Sequence, residues 1–105
     1  MLAQGGGKVI SRTGLAAATA ERFRGTDAGF QLPAAFGAGF RLGDAAFGAS
    51  ASPSSFGHSG WGGTTAFADP EAKLGFAYVT NHMRDFLDGV EIRRKRLSDA
   101  VYAAL

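Results

Sequence analysis

Cysteine is absent from the 105 residues, which excludes disulfides and thiolate metal ligands. Charge of one sign is scarce: the net charge is +2, and much of the basic excess sits in the single run Arg93-Arg94-Lys95-Arg96. A nucleic-acid binder carries a broader basic face, so no nucleic-acid partner is expected. No stretch approaches the roughly 18 consecutive apolar residues that a membrane span requires. The opening Met-Leu-Ala-Gln-Gly-Gly-Gly-Lys has neither a basic segment nor a long apolar one, so it does not read as a signal peptide. A targeting signal would lie upstream of Met1, and the compartment stays open. The two histidines have no nearby cluster of carboxylates, so neither a zinc site nor a cofactor is expected. Internal repeats and low-complexity tails are also missing.

What is abundant is glycine, 16 residues, most of them before residue 64. That favours turns and close backbone approaches over a long helical bundle. The apolar fraction of 46% is that of a globular protein, in a length that allows one small domain with a modest core.

The patterning predicts an α+β chain. Met1 to Gln4 are helix formers stopped by Gly5-Gly6-Gly7, and a helix that starts uncapped at the first residue looks cut into. Val9-Ile10 reads as a short extended piece. Ser11 is a helix cap, with the helix expected to run through Arg24 and to place Leu15, Ala16, Thr19 and Phe23 on one face. Residues 25–35 read as irregular. Phe36, Ala38, Phe40 and Leu42 alternate with Gly37, Gly39, Arg41 and Gly43, the period of a strand over 36–42. Residues 44–55 have loop composition. A strand over 56–68 and another over 74–80, joined by Asp69-Pro70-Glu71-Ala72-Lys73, predict an antiparallel hairpin. The second of these is almost continuously apolar, which predicts cover on both faces. Phe67, Phe76 and Tyr78 read as core. A C-terminal helix over 91–104 would pack on the sheet through Val90, Leu97, Val101, Ala104 and Leu105, with the basic run at 93–96 on its solvated face.

One stretch concentrates chemistry: Phe56-Gly57-His58-Ser59-Gly60-Trp61-Gly62-Gly63-Thr64-Thr65. Histidine is the side chain best poised for proton transfer near neutral pH. Glycines let a substrate reach backbone N–H groups. The same residues also fit a glycine-rich strand entry with an incidental histidine. Gly57-His58-Ser59-Gly60 begins like the Gly-x-Ser-x-Gly elbow of α/β-hydrolases, with Ser59 as nucleophile. The fifth position is Trp61, however, and the segment leads into a strand where an elbow leads into a helix.

Taken in order, Phe36-Gly37-Ala38-Gly39-Phe40, Phe56 to Gly63, Asp69-Pro70-Glu71 and Leu74 to Asn81 resemble the C-terminal part of serine β-lactamase-like hydrolases, the family of class C β-lactamases, family VIII esterases and penicillin-binding proteins. His58-Ser59-Gly60 is similar to the His-x-Gly strand that some members carry in place of Lys-Thr-Gly. The resemblance implies that residues 1–105 are the C-terminal fragment of one such domain, a partial antiparallel sheet with a C-terminal helix packed on it, and need the N-terminal part of the same domain. It implies that His58 faces the nucleophile and orients substrate. It implies that Trp61 offers its backbone N–H to an oxyanion hole, and that Gly60 and Gly62, with Gly63, leave room for an extended substrate. Substrates would be small esters, amides or β-lactams. The histidine tilts the expectation toward an esterase or peptidase. Ser59 is expected to be a structural hydroxyl. The family's Ser-x-x-Lys is missing, because none of Ser11, Ser50, Ser52, Ser54, Ser55, Ser59 or Ser98 has Lys three positions later. Its Tyr-x-Asn or Tyr-x-Ser motif is missing too. The chain alone is therefore expected to be inactive. The competing expectation is a non-catalytic remnant or interaction module.

Overall fold

The computed structural model describes residues 2–84 and 92–105. Val90 and Glu91, assigned above to the stripe and start of the C-terminal helix, and Met1, read as a helix former, lie outside the described residues. Six antiparallel strands form one sheet in the order β1-β2-β3-β4-β5-β6, so each strand pairs with its neighbour in sequence. These are β1 (Phe23–Thr26), β2 (Pro33–Phe36), β3 (Arg41–Leu42), β4 (Phe56–Ser59), β5 (Thr65–Asp69) and β6 (Leu74–Tyr78). The 3₁₀ turn Leu2–Gln4 and helix α1 (Arg12–Thr19) cover one face. The 3₁₀ turn Ala45–Phe47 and helix α2 (Ile92–Ala103) cover the other. The α+β class and the C-terminal helix agree with the sequence reading.

Each face has its own core. On the α1 face Ala3 and Leu15 bury Phe56 and Ala68, which stand opposite one another in the β4–β5 register, and Phe40 meets Phe56 edge-on at 5.2 Å. On the α2 face Phe67 is the hub. Its ring stacks on Phe47 at 4.9 Å, tilts against Phe76 at 5.3 Å and lies parallel to Tyr102 at 6.3 Å. Gly57 is directly across from Phe67, and a Cβ there would collide with the Ala66 carbonyl and with Phe67 itself. The stacked rings therefore depend on a bare position in β4.

Ser11 caps α1 as expected, its Oγ accepting from Gly14 N at 3.0 Å. The helix nevertheless ends at Thr19, not at Arg24. Ala20 is already extended, and Phe23 to Thr26 pair with Phe36 to Pro33 as β1 and β2. The segment 25–35 is accordingly a hairpin and its turn, not irregular chain. The expected strand 36–42 is broken as well. Gly37 to Phe40 form a tight turn closed by Gly37 N donating to Phe40 O at 2.9 Å, with Gly39 at φ +90°. A side chain at Gly37 would strike the Ala18 carbonyl, which accepts from Ala38 N at 2.8 Å. Those glycines bring the β2–β3 turn onto the end of α1, and only their period-two spacing imitated a strand. Val9-Ile10 is a bend with Val9 exposed.

Two expectations about burial also change. β6 is half-buried on alternate residues, not covered on both faces: Leu74, Phe76 and Tyr78 share the face on which Phe76 meets Phe67, while Gly75 and Ala77 on the other are exposed. In α2 the residues turned inward are Arg94 and Ser98, one helical turn apart, followed by the half-buried Tyr102. Arg94 is 1% exposed, so the basic run is not wholly solvated, while Leu97 of the expected apolar stripe is 44% exposed. The reason is the partner surface. Gly48 leaves room for Ser98, Asp99 and Tyr102 to approach the 44–55 segment closely, and Ala49 N donates to Asp99 Oδ1 at 2.8 Å. Ile92 and Leu97 of α2 thus face outward.

Candidate active site

β4 runs from the buried Phe56 and Gly57 to the exposed His58. Gly60 N donates to Thr64 O at 2.7 Å and Gly63 N to Gly60 O at 3.2 Å, with Gly63 at φ +108°. That turn separates β4 from β5 where the sequence suggested continuous strand, and it presents Trp61 near the tip. A groove of about 800 Å³ is lined by residues of β1 to β3, by His58, Ser59, Gly60 and Trp61, and by Arg94. Three of the four expected site residues, His58, Gly60 and Trp61, therefore share one groove. Gly62 does not line it and is packed against Met83.

The ring Nδ1 of His58 is 3.0 Å from the Ser59 carbonyl oxygen. A proton on Nδ1 makes that contact a hydrogen bond, and it leaves Nε2 as an acceptor in the neutral ring and a donor in the imidazolium. The ring can therefore take or give a proton, or bind a polar substrate group, while held to its own strand. Ser59 follows on the alternate side of the strand. Its Oγ is 2.9 Å from Oγ1 of Thr65, which is buried directly opposite it. This is the environment of a structural hydroxyl, with no histidine among its described hydrogen-bond partners. His82 is exposed, its carbonyl accepting from Thr80 Oγ1 at 3.1 Å.

The rest of the groove is aromatic and basic. Arg41 lies over the Phe36 ring at 5.4 Å and pairs with Asp44 at 2.5 Å. Phe30 stacks on Trp61 with centroids 5.6 Å apart and planes 19° from parallel. Phe30 was not legible as a site residue, since it falls in a segment that read as irregular. The Asp27 pattern of turn chemistry was the one signal available: its Oδ1 accepts from Gly29 N at 2.8 Å and Phe30 N at 2.9 Å.

A second polar centre was also missed. Asp69, read as a turn residue, is 1% exposed and accepts five hydrogen bonds. The donors are Ser52 N at 2.8 Å, Ser52 Oγ at 2.7 Å, Glu71 N at 3.0 Å, Ala72 N at 3.2 Å and Tyr102 Oη at 2.7 Å. Burial alone would raise its pKa. The hydrogen bonds from Ser52, Tyr102 and Ala72 outweigh that and hold it at about 2. Burial, and then the bond to Asp69, push the Tyr102 hydroxyl well above its ordinary value. This centre ties the 44–55 segment, the β5–β6 turn and α2 together, and it lies outside the groove. Among the described residues no cluster of His, Cys, Asp or Glu could hold a metal, and no helix is long and apolar enough to cross a membrane.

The site thus sits in a groove at the end of the fourth strand of a six-stranded antiparallel sheet with helical cover on both faces. The Beta-lactamase family model matches residues 1–100. The chain is 42% identical to a structure described as a novel penicillin-binding protein homolog from Caulobacter crescentus, with a TM-score of 0.86, over 99% of this chain and 29% of that one. It is 37% identical to a family VIII carboxylesterase, with a TM-score of 0.87 and the same coverage of 99% and 29%. It is 28% identical to EstA from Arthrobacter nitroguajacolicus Rue61a, with a TM-score of 0.75, over 97% and 29%. No curated protein matches the chain. The chain belongs to the β-lactamase family, and it spans about 29% of the length of the structures it matches.

Proposed function

We propose that these residues form one wall of the acyl-transfer site of a serine hydrolase that cleaves small esters, with the nucleophile and its base supplied by residues outside this chain. The observation that carries the reading is the exposed His58 at the end of β4, in one groove with Gly60 and Trp61. His58 orients the substrate or its leaving group through Nε2. The Trp61 backbone N–H is one donor to the developing oxyanion, a contribution worth about 3 kcal/mol of transition-state stabilisation. Gly60 keeps the strand bare where the substrate passes. The amide and β-lactam readings use the same groups, and the carboxylesterase among the similar structures favours the ester. The outward apolar residues Ile92, Leu97 and Leu105 of the C-terminal segment, and the exposed Val79 just after β6, are the surface that the N-terminal part of the domain would cover.

The test is reconstitution. The chain alone should not hydrolyse 4-nitrophenyl acetate above background. Combined with the upstream portion of a complete relative, it should yield turnover and a fluorophosphonate-reactive serine outside residues 1–105. In that complex His58→Ala should cut kcat/KM at least tenfold, and Ser59→Ala by much less. Covalent labelling of Ser59 would instead support the elbow reading. A folded complex without turnover would favour the non-catalytic module.

A further inference from the structure

We propose that Phe30 and Trp61 form an aryl-binding subsite, which selects esters carrying a flat apolar group. The inference rests on the reading of the groove as a substrate site and names the substrate class that this site takes.

The two rings lie nearly parallel at 5.6 Å, yet Phe30 is 61% and Trp61 54% exposed. An aromatic pair placed for core packing would be buried, since removing such rings from water is its main stabilising contribution. Here each ring is delivered to solvent by a turn built for the purpose. Asp27 accepts from Gly29 N and Phe30 N, Asp27 N donates to Leu32 O at 2.9 Å, and Gln31 sits at φ +55°, a conformation that a side-chain-bearing residue rarely adopts. Trp61 is presented by the tight Gly60–Thr64 turn. Two separate turns, 31 positions apart, thus converge on one stacked pair beside His58. Leu32, Pro33 and Ala45 are further exposed apolar side chains of this wall. The wall therefore offers π-faces and an aliphatic edge, a chemistry that suits an aromatic ring better than a short alkyl group.

Trp61 is the single tryptophan of the chain, so its fluorescence reports the subsite directly. The chain is titrated with phenyl acetate, methyl benzoate and ethyl acetate. It contains no assigned nucleophile, so binding is read without turnover, and the outcome does not depend on the hydrolase reading. The aryl esters should perturb Trp61 emission at concentrations at least tenfold below those of ethyl acetate. Phe30→Ala should raise the half-saturating concentration of the aryl esters about five- to tenfold and leave ethyl acetate unchanged. Phe30→Leu keeps apolar area and removes the ring, and should lie between them. Equal responses to all three esters, or aryl binding unaffected by Phe30→Ala, would overturn the proposal. Loss of aryl binding when the upstream portion is added would also overturn it, because the pair would then be a contact with that portion.

Discussion

At one end of the sheet, β5 and β6 are locked by Phe67, by the rings stacked on it and by the five donors of Asp69. At the other end, β1 is exposed along its whole length, and its hairpin is held by backbone pairing, by the Asp27 turn and by one tilted contact between Phe23 and Phe36 at 6.5 Å. Stability and the groove are thus placed at opposite ends. The locked end makes a platform, and the open end supplies the surface a substrate can reach, as expected where binding elements are drawn from the less stable parts of a fold.

The largest break in that contrast should come from Asp69→Ala. It strands buried donors from Ser52, Glu71, Ala72 and Tyr102, and should cost about 4 kcal/mol of stability in urea unfolding. Acid should do the same more gently. The folded pKa of about 2 lies below the ordinary aspartate value of 3.8, so the carboxylate stabilises the fold above pH 4. That contribution, about 2 kcal/mol, should disappear as the pH falls from about 4 to about 2, and be absent from the pH profile of Asp69→Asn. Tyr102→Phe removes one bond to a charged acceptor while keeping the ring on Phe67, and should cost about 1.5 kcal/mol. At the open end, Phe23→Ala should change stability by only about 0.5 kcal/mol. A cost at Phe23 equal to that at Tyr102 would erase the distinction between the two ends.

The same division separates what could be read in the sequence from what could not. The β5–β6 hairpin was legible because its β formers flank a strong turn, Asp69-Pro70, and the register keeps Phe67 opposite Phe76. His58, Gly60 and Trp61 were legible because they are consecutive or nearly so, and the structure places them in one groove. The β1–β2 hairpin was not. Glu21, Arg22 and Arg24 continue a helical pattern, and only the turn near Gly37, which meets Ala18 through space, shows why the helix stops. Arg94 read as surface because sequence periodicity scores apolarity, whereas α2 meets the 44–55 segment through glycine, hydroxyl and charged groups. The Asp69 centre was half legible: an aspartate accepting from the next amides is a turn signature, but Ser52 and Tyr102 are partners that only the fold supplies.

The meander order has a consequence for how the chain assembles in time. Every strand closes on its immediate successor, so the sheet needs only short loop closures, and local contacts of this kind form fastest. The partners of Asp69 lie at increasing sequence distance. The amides of Glu71 and Ala72 are two and three residues away, Ser52 is 17 residues back, and the Tyr102 hydroxyl is 33 residues ahead. During synthesis Tyr102 is also the last of these to leave the ribosome. The five donors of this carboxylate can therefore be complete only once α2 has been made.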